Sequence, residues 1–232
     1  MKTFIILFCI LAANTLLAQE PVTFRIKADA DLKYAIPVAS RYRYPQFKDG
    51  TVSFLNGSSV NAKLNYNFLL GEVQFIGNVR DTLSLANEQT IKKIQIGENE
   101  FYFDITHRYV EAITNNPKAQ LVVKAMFKVG AVEKLAAMGK SSATSSIKEV
   151  NNISNSNSSM QKLTSKGDVI LSKEKTYFLM DANNRFYKTN KSGFLKLFSD
   201  HKKEVEAYLK TESIDFNEEE SLKKLLSFCN SL

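Results

Sequence analysis

Hydrophobic and polar positions alternate most cleanly in residues 41–76, RYRYPQFKDGTVSFLNGSSVNAKLNYNFLLGEVQFI. Within them, residues 61–68 alternate without a break. Ala62, Leu64, Tyr66 and Phe68 fall on one side, and Asn61, Lys63, Asn65 and Asn67 on the other. A period of two sends successive side chains to opposite faces, so the pattern predicts a half-buried antiparallel strand. Asn56-Gly57 ahead of it is a hairpin turn signal, which pairs it with a short strand at 51–55 bearing Val52 and Phe54 inward. Lys48-Asp49-Gly50 reads as another turn. Pro45 ends the cation–ring alternation Arg41-Tyr42-Arg43-Tyr44, because it removes a donor from any ladder.

Shorter alternating runs follow at 72–76, 82–85, 91–96, 101–105 and 108–113, with 97–100 as a four-residue hairpin loop. Residues 119–129 alternate again, Leu121, Val123, Ala125, Phe127 and Val129 opposite Val122, Lys124, Met126 and Lys128. Residues 139–166 are Ser/Asn-rich and lack a period, the composition of a flexible loop or linker. Two short strands are predicted at 168–172 and 176–181. The period then lengthens to helical: Phe194, Leu195, Leu197 and Phe198 cluster, Ser199-Asp200 offers a cap, and Val205, Tyr208 and Leu209 recur. Asn217 with Glu220 three residues on is a variant capping box for a last helix carrying Leu222, Leu225, Leu226 and Cys229 inward. The expected fold is α+β: an N-terminal antiparallel meander, folded over or partly closed, then a strand pair and two to three C-terminal helices.

Composition changes this picture at the N-terminus. Lys2, an apolar run over residues 4–13 and Leu16-Leu17-Ala18 before Gln19 form a secretory signal peptide, too short in its apolar part to span a bilayer. The expected organisation is therefore 1–18 signal peptide, 19–138 β-rich part, 139–166 linker and 167–232 strand pair with helices, the last packed with 19–138 or separate. Removal of the signal takes away Cys9 and leaves Cys229 as a small buried hydrophobe without a disulfide partner. It also lowers the net charge from +7 to +6. That surplus suits solubility and falls short of a nucleic-acid-binding density. No apolar stretch after residue 18 is long enough to form a spanning helix.

Candidate chemistry is sparse. The histidines, His107 and His201, have no second His or Cys nearby, so neither metal nor cofactor is expected. No nucleophile elbow, zinc-helix, phosphate-loop or dinucleotide motif occurs. Asp49, Glu72, Asp81, Glu100 and Asp104 are available for a carboxylate pair, though each reads more simply as a turn or solvated-face residue. Two surfaces are candidates for ligand binding. One joins Arg41, Tyr42, Arg43 and Tyr44 with the polar face carrying Asn65 and Asn67, a ring–cation–amide set suited to sugar or peptide, though Tyr42, Tyr44 and Tyr66 read more simply as core rings and the two Asn as partners of neighbouring loops. The other is the basic window 185–203, where Arg185, Lys188, Lys191, Lys196, Lys202 and Lys203 face only Asp200 and could engage an anionic glycan, though it reads more simply as a solvated helix face.

The stretches YPQFKDGTVSFLNG, LNYNFLLGEVQFI and DTLSLAN, with YFLMDANNRFYKTNKSGFLKLFSDHKKEVEAYLK and IDFNEEESLKKLLSFCNSL downstream, resemble an uncharacterised family of small exported proteins from Bacteroidota. The resemblance spans the mature chain outside the Ser/Asn-rich insert. It implies an envelope location, periplasmic or cell-surface, and brings no catalytic role. Asp81-Thr82-Leu83 is similar to the three-residue O-glycosylation sequon of that phylum, and Thr82 equally suits the start of a strand. The expected function is a non-enzymatic interaction or structural module with an envelope protein or glycan as partner. The alternatives are an envelope hydrolase working through sheet-borne carboxylates and a binder of anionic glycan through 185–203.

Overall fold

The computed structural model describes residues 22–27, 30–135, 141–143 and 168–232. The signal peptide expected at 1–18 lies outside them, as does the Ser/Asn-rich segment apart from residues 141–143. The strands are β1 Thr23–Ile26, β2 Lys48–Phe54, β3 Ser59–Asn67, β4 Glu72–Ile76, β5 Thr82–Ser84, β6 Ile91–Ile96, β7 Asn99–Asp104, β8 Arg108–Ala112, β9 Ala119–Leu135, β10 Ser141–Ala143, β11 Asp168–Asp181 and β12 Phe186–Lys188. The helices are α1 Leu32–Ala35, α2 Val38–Arg41, α3 Lys191–Leu197, α4 Lys202–Thr211 and α5 Glu219–Ser231. All twelve strands join one antiparallel sheet in the order β1-β11-β9-β8-β7-β6-β2-β3-β4-β5, with β10 beside β9 and β12 beside β11. The fold is α+β, as the pattern predicts, and the sheet is not closed. Its curl still brings Phe68, just past β3, to β9, where the Phe127 N–H donates to the Phe68 carbonyl at 2.9 Å.

Four expectations need correction. Lys48-Asp49-Gly50 is not a turn but the start of β2, and Gly50 pairs with both Ala62 and Ile96. Glycine is needed there for close approach: a Cβ would stand 2.4 Å from the Gln95 carbonyl oxygen. The β6–β7 loop is two residues, not four, because Ile96 pairs with Asn99 and Gly97 takes φ +58°. Ser141–Ala143, expected in the linker, pairs with β9 at Glu133 to Leu135. Most consequentially, 168–172 and 176–181 are one 14-residue strand, β11, whose Lys173-Glu174-Lys175 continues the ladder with β9 through a bulge near Ile170/Leu171.

The β9–β11 hairpin carries two apolar cores. Phe127 and Leu171 belong to a cluster with Leu64, Tyr66, Val73, Ile94, Phe101 and Tyr109 inside the curled sheet. Leu121 and Leu179 belong to a second cluster with Phe194, Val205, Leu222, Leu225, Leu226 and Cys229 of the helices. Three helices, α3 to α5, follow β12, at the upper end of the C-terminal expectation, while α1 and α2 near the N-terminus were not expected; the starts of the C-terminal helices also differ. Ser199–His201 forms a separate 3₁₀ turn and α4 has no side-chain cap. The α5 cap is Glu218 rather than Asn217, its carboxylate accepting from the backbone N–H of Glu220 and Ser221. Cys229 is buried as expected, and burial pushes its thiol up to about 12.

Candidate functional site

Along β11, Leu171, Lys173, Lys175, Tyr177 and Leu179 share one face by the strand period. Leu171 and Leu179 are each fully buried, one in each core. The two lysines between them share that register, paired across the ladder with Phe127 and Ala125 of β9, and Lys173 is half-buried while Lys175 is exposed. Where the cores part, that face borders a cleft of about 700 Å³. Val123 and Ala125 of β9, Glu111 of β8, Phe68, Tyr42 and Arg43 contribute to its walls, and Glu219 and Lys223 come from α5.

The Arg43 wall is set by β3. Beyond α2, the chain runs antiparallel to the end of β3: the Arg43 N–H donates to Tyr66 O at 2.9 Å and the Phe68 N–H to Arg41 O at 2.7 Å. Asn65 clamps the next residue on both sides, accepting from Tyr44 N at 3.1 Å and donating to Tyr44 O at 2.9 Å. Asn67 accepts from Leu69 N at 2.9 Å and donates to Gln74 Oε1 at 3.0 Å, which also accepts from Tyr42 Oη at 3.0 Å. Thus Asn65 and Asn67 pair with neighbouring segments, the simpler of the two readings of their amides, and as buried supports they do not line the cleft. The 41–44 segment lies across that face, which strand alternation alone does not reveal.

Arg43 donates through Nε to Glu111 Oε2 at 3.1 Å and through Nη2 to Oε1 at 3.2 Å. Glu111 Oε1 also accepts from Asn99 Nδ2 at 2.8 Å, and Asn99 Oδ1 from Tyr44 Oη at 2.9 Å. The Glu111 hydrogen bond raises the already high Arg43 pKa, and burial lifts Tyr44 to about 12. On the opposite wall, Glu219 receives Lys175 at 3.2 Å, Lys223 at 2.9 Å and Tyr177 Oη at 3.1 Å. Burial raises the Glu219 pKa, but the hydrogen bonds and charges of Lys223 and Lys175 outweigh it, so the net shift is downward.

Lys173 differs from these. Its Nζ stands 3.3 Å from the Phe68 ring centroid and makes no ion pair or hydrogen bond among the described residues. Burial, then the charges of Arg43 and Lys175, pull its pKa down to about 8 against a weaker opposite pull from Glu111. A ring face offsets only part of the cost of a desolvated ammonium.

The remaining expected residues lie elsewhere. Arg41 is half-buried, its guanidinium 6.0 Å from the Tyr42 ring centroid. Arg185, Lys188, Lys191, Lys202 and Lys203 are exposed on β12, its flanking turn, α3 and α4, and none lines the cleft. Thr82 is exposed at the start of β5. Of the five candidate carboxylates, none lines the cleft. Glu72 is not a solvated-face residue: it is buried, accepting from Ser84 Oγ at 2.9 Å with Arg108 at 3.6 Å. His107 stacks on Phe186 and meets Asp104 at 2.7 Å, while His201 and Cys229 border a smaller pocket of about 220 Å³. The raised thiol pKa leaves that Cys229 without a thiolate near neutrality. Among the described residues no cluster of three His, Cys, Asp or Glu is placed to hold a metal ion, and no helix is long and apolar enough to cross a membrane.

Sequence reading missed Asn99, Glu111, Lys173, Lys175, Glu219 and Lys223. The available signal was the register of Lys173 and Lys175 with Leu171 and Leu179, hidden once the strand was broken in two. No protein-family model, curated protein or solved structure matches the chain.

Proposed function

We propose that this chain is an exported cell-envelope protein, similar to the Bacteroidota family named above, and acts as a non-enzymatic binding module. Its ligand occupies the cleft between the curled sheet and α5. The carrying observation is Lys173, an inward-facing ammonium over Phe68 with no ion pair or hydrogen bond among the described residues, at the gap between two cores. The cleft's volume of about 700 Å³ is in the range of small-ligand sites. The basic side chains of 185–203 line neither the cleft nor the smaller pocket beside His201, so that window ranks below the cleft as the binding surface.

The hydrolase alternative keeps one specific observation: two carboxylates, Glu111 and Glu219, border the same cleft. Carboxylate-pair hydrolysis needs one member protonated near neutral pH. Glu219 is shifted the other way by the hydrogen bonds and charges of Lys223 and Lys175. Binding is the better match to this chemistry.

Thermal unfolding of residues 19–232 with a panel of neutral sugars, uronic acids and short peptides with free or amidated C-termini tests the reading. At least one member is expected to raise Tm by about 5–10 °C at a hundredfold excess over its Kd. Ala39→Trp, at an exposed position bordering the cleft, should abolish that rise without lowering the ligand-free Tm. A panel that shifts nothing, or a shift that survives in Ala39→Trp, contradicts it.

A further inference from the structure

Resting on that cleft reading, we infer that the ligand is an organic monocarboxylate, its carboxylate on Lys173 and its carbon skeleton against Phe68 and the neighbouring apolar rim. Charge sets the valence. Arg43, Lys173, Lys175 and Lys223 line the cleft with Glu111 and Glu219. Arg43 is engaged by Glu111, Lys175 by Glu219, and Lys223 by both Glu219 and Glu220, the latter at 2.9 Å just outside the cleft. Lys173 is the cleft cation left without an anion among the described residues. One positive charge matches a single negative one. A phosphate dianion would bring a second negative charge toward Glu111 and Glu219, which face the same space.

The surroundings favour carbon beside that charge. Val22, Ala39, Phe68, Val123 and Ala125 border the cleft, and Arg43 Nη1 has no hydrogen-bond partner among the described residues. An anion on Lys173 therefore has a second donor on the Arg43 wall and apolar atoms for its body. A carboxylate hydrogen-bonded to an ammonium contributes more than a neutral pair, because the interaction is charge-assisted. Two sources share this chemistry, the free C-terminus of a peptide and a uronic acid of a glycan.

Protonation gives the site a pH signature. The charged groups facing Lys173 are Arg43 from the segment after α2, Glu111 of β8, Lys175 of its own strand, and Glu219 and Lys223 of α5. Only the ammonium form binds an anion. With the free group titrating at about 8, affinity is flat below that pH and declines above it. Arginine stays protonated throughout, so Lys173→Arg removes the decline.

Isothermal titration of residues 19–232 at low salt tests this with N-acetyl-Ala-Ala, its C-terminal amide, glucuronate, glucose and inorganic phosphate. One carboxylate should bind at least about tenfold more tightly than its uncharged counterpart and than phosphate. Which of the two does so identifies the peptide or glycan source. Lys173→Met should lose about tenfold or more while keeping its Tm, since the change removes a desolvated charge. Lys173→Arg should bind within a few-fold of wild type at pH 7 and show no decline to pH 9.5. Equal binding of a neutral counterpart, tighter binding of phosphate, or unchanged binding in Lys173→Met overturns the carboxylate assignment. Neutral ligands that stabilise the protein and are excluded by Ala39→Trp would overturn it while leaving the cleft reading intact; no binding by any compound overturns both.

Discussion

Asn65→Ala is expected to destabilise the protein by about 2–4 kcal/mol, far more than Asn61→Ala on the same strand face. Asn65 is 1 % exposed and holds Tyr44 through both its backbone N–H and its carbonyl. Its Oδ1 also lies 2.9 Å from Tyr66 N. Truncation leaves the Tyr44 groups buried without this partner, and water cannot enter to replace it cheaply. Asn61 is exposed, with one 2.8 Å bond from Thr51 Oγ1, so its loss is expected to cost under about 0.5 kcal/mol. The clamp also fixes Arg43 one residue before Tyr44, so cleft binding should fall further than stability alone accounts for. Urea denaturation of both variants, with ligand titration under native conditions, checks this. Equal losses at the two positions would show that the 41–44 segment does not lie on β3.

Gly193→Ala should destabilise by about 2–4 kcal/mol, the reverse of what helix propensity predicts. In a helix interior, alanine is better than glycine by about 1 kcal/mol. Here a Cβ would fall 1.9 Å from the Lys188 carbonyl oxygen and 3.0 Å from its carbon, both backbone atoms. Asn190, whose Oδ1 accepts from Gly193 N at 2.8 Å, ties the same turn. Relief requires α3 to move off β12, which disturbs Phe194 in the helical core. A thermal or chemical unfolding curve decides it; a neutral or stabilising effect would contradict the close approach.

The strands were largely legible because one buried face imposes a period of two. The expected run 72–76 coincides with β4 and 91–96 with β6. Asn56-Gly57 indeed turns the β2–β3 hairpin, with Gly57 at φ +86°. Errors arose where one residue type serves two purposes. Gly50 resembles a turn glycine, yet its small size admits β6 rather than a reversal. The amides of Asn65 and Asn67 do pair with neighbouring segments, as the simpler reading has it, but which segments, 41–44 and the turn after β3, no local pattern identifies. Lys173 and Lys175 interrupt an apolar strand by composition while preserving its register. A core-facing lysine is costly unless the structure leaves a gap for it, and that gap depends on where two cores end, a long-range property. The cleft therefore became visible only when β8, β11, α5 and the end of β3 were brought together. Of the six residues of the first expected surface, Tyr42 and Arg43 line it.

The central claim is that the Lys173 cleft receives a ligand. Its most direct test is site-resolved acylation of the lysines at pH 7.5, read by peptide mass spectrometry with and without the panel compound that most raises Tm. A free amine reacts only when deprotonated, and Lys173 titrates at about 8. Lys173 should therefore label ahead of Lys188, Lys191, Lys202 and Lys203, and the compound should protect it selectively. Unchanged Lys173 labelling in the presence of a saturating, stabilising compound, with protection falling instead on the 185–203 lysines, would contradict the claim.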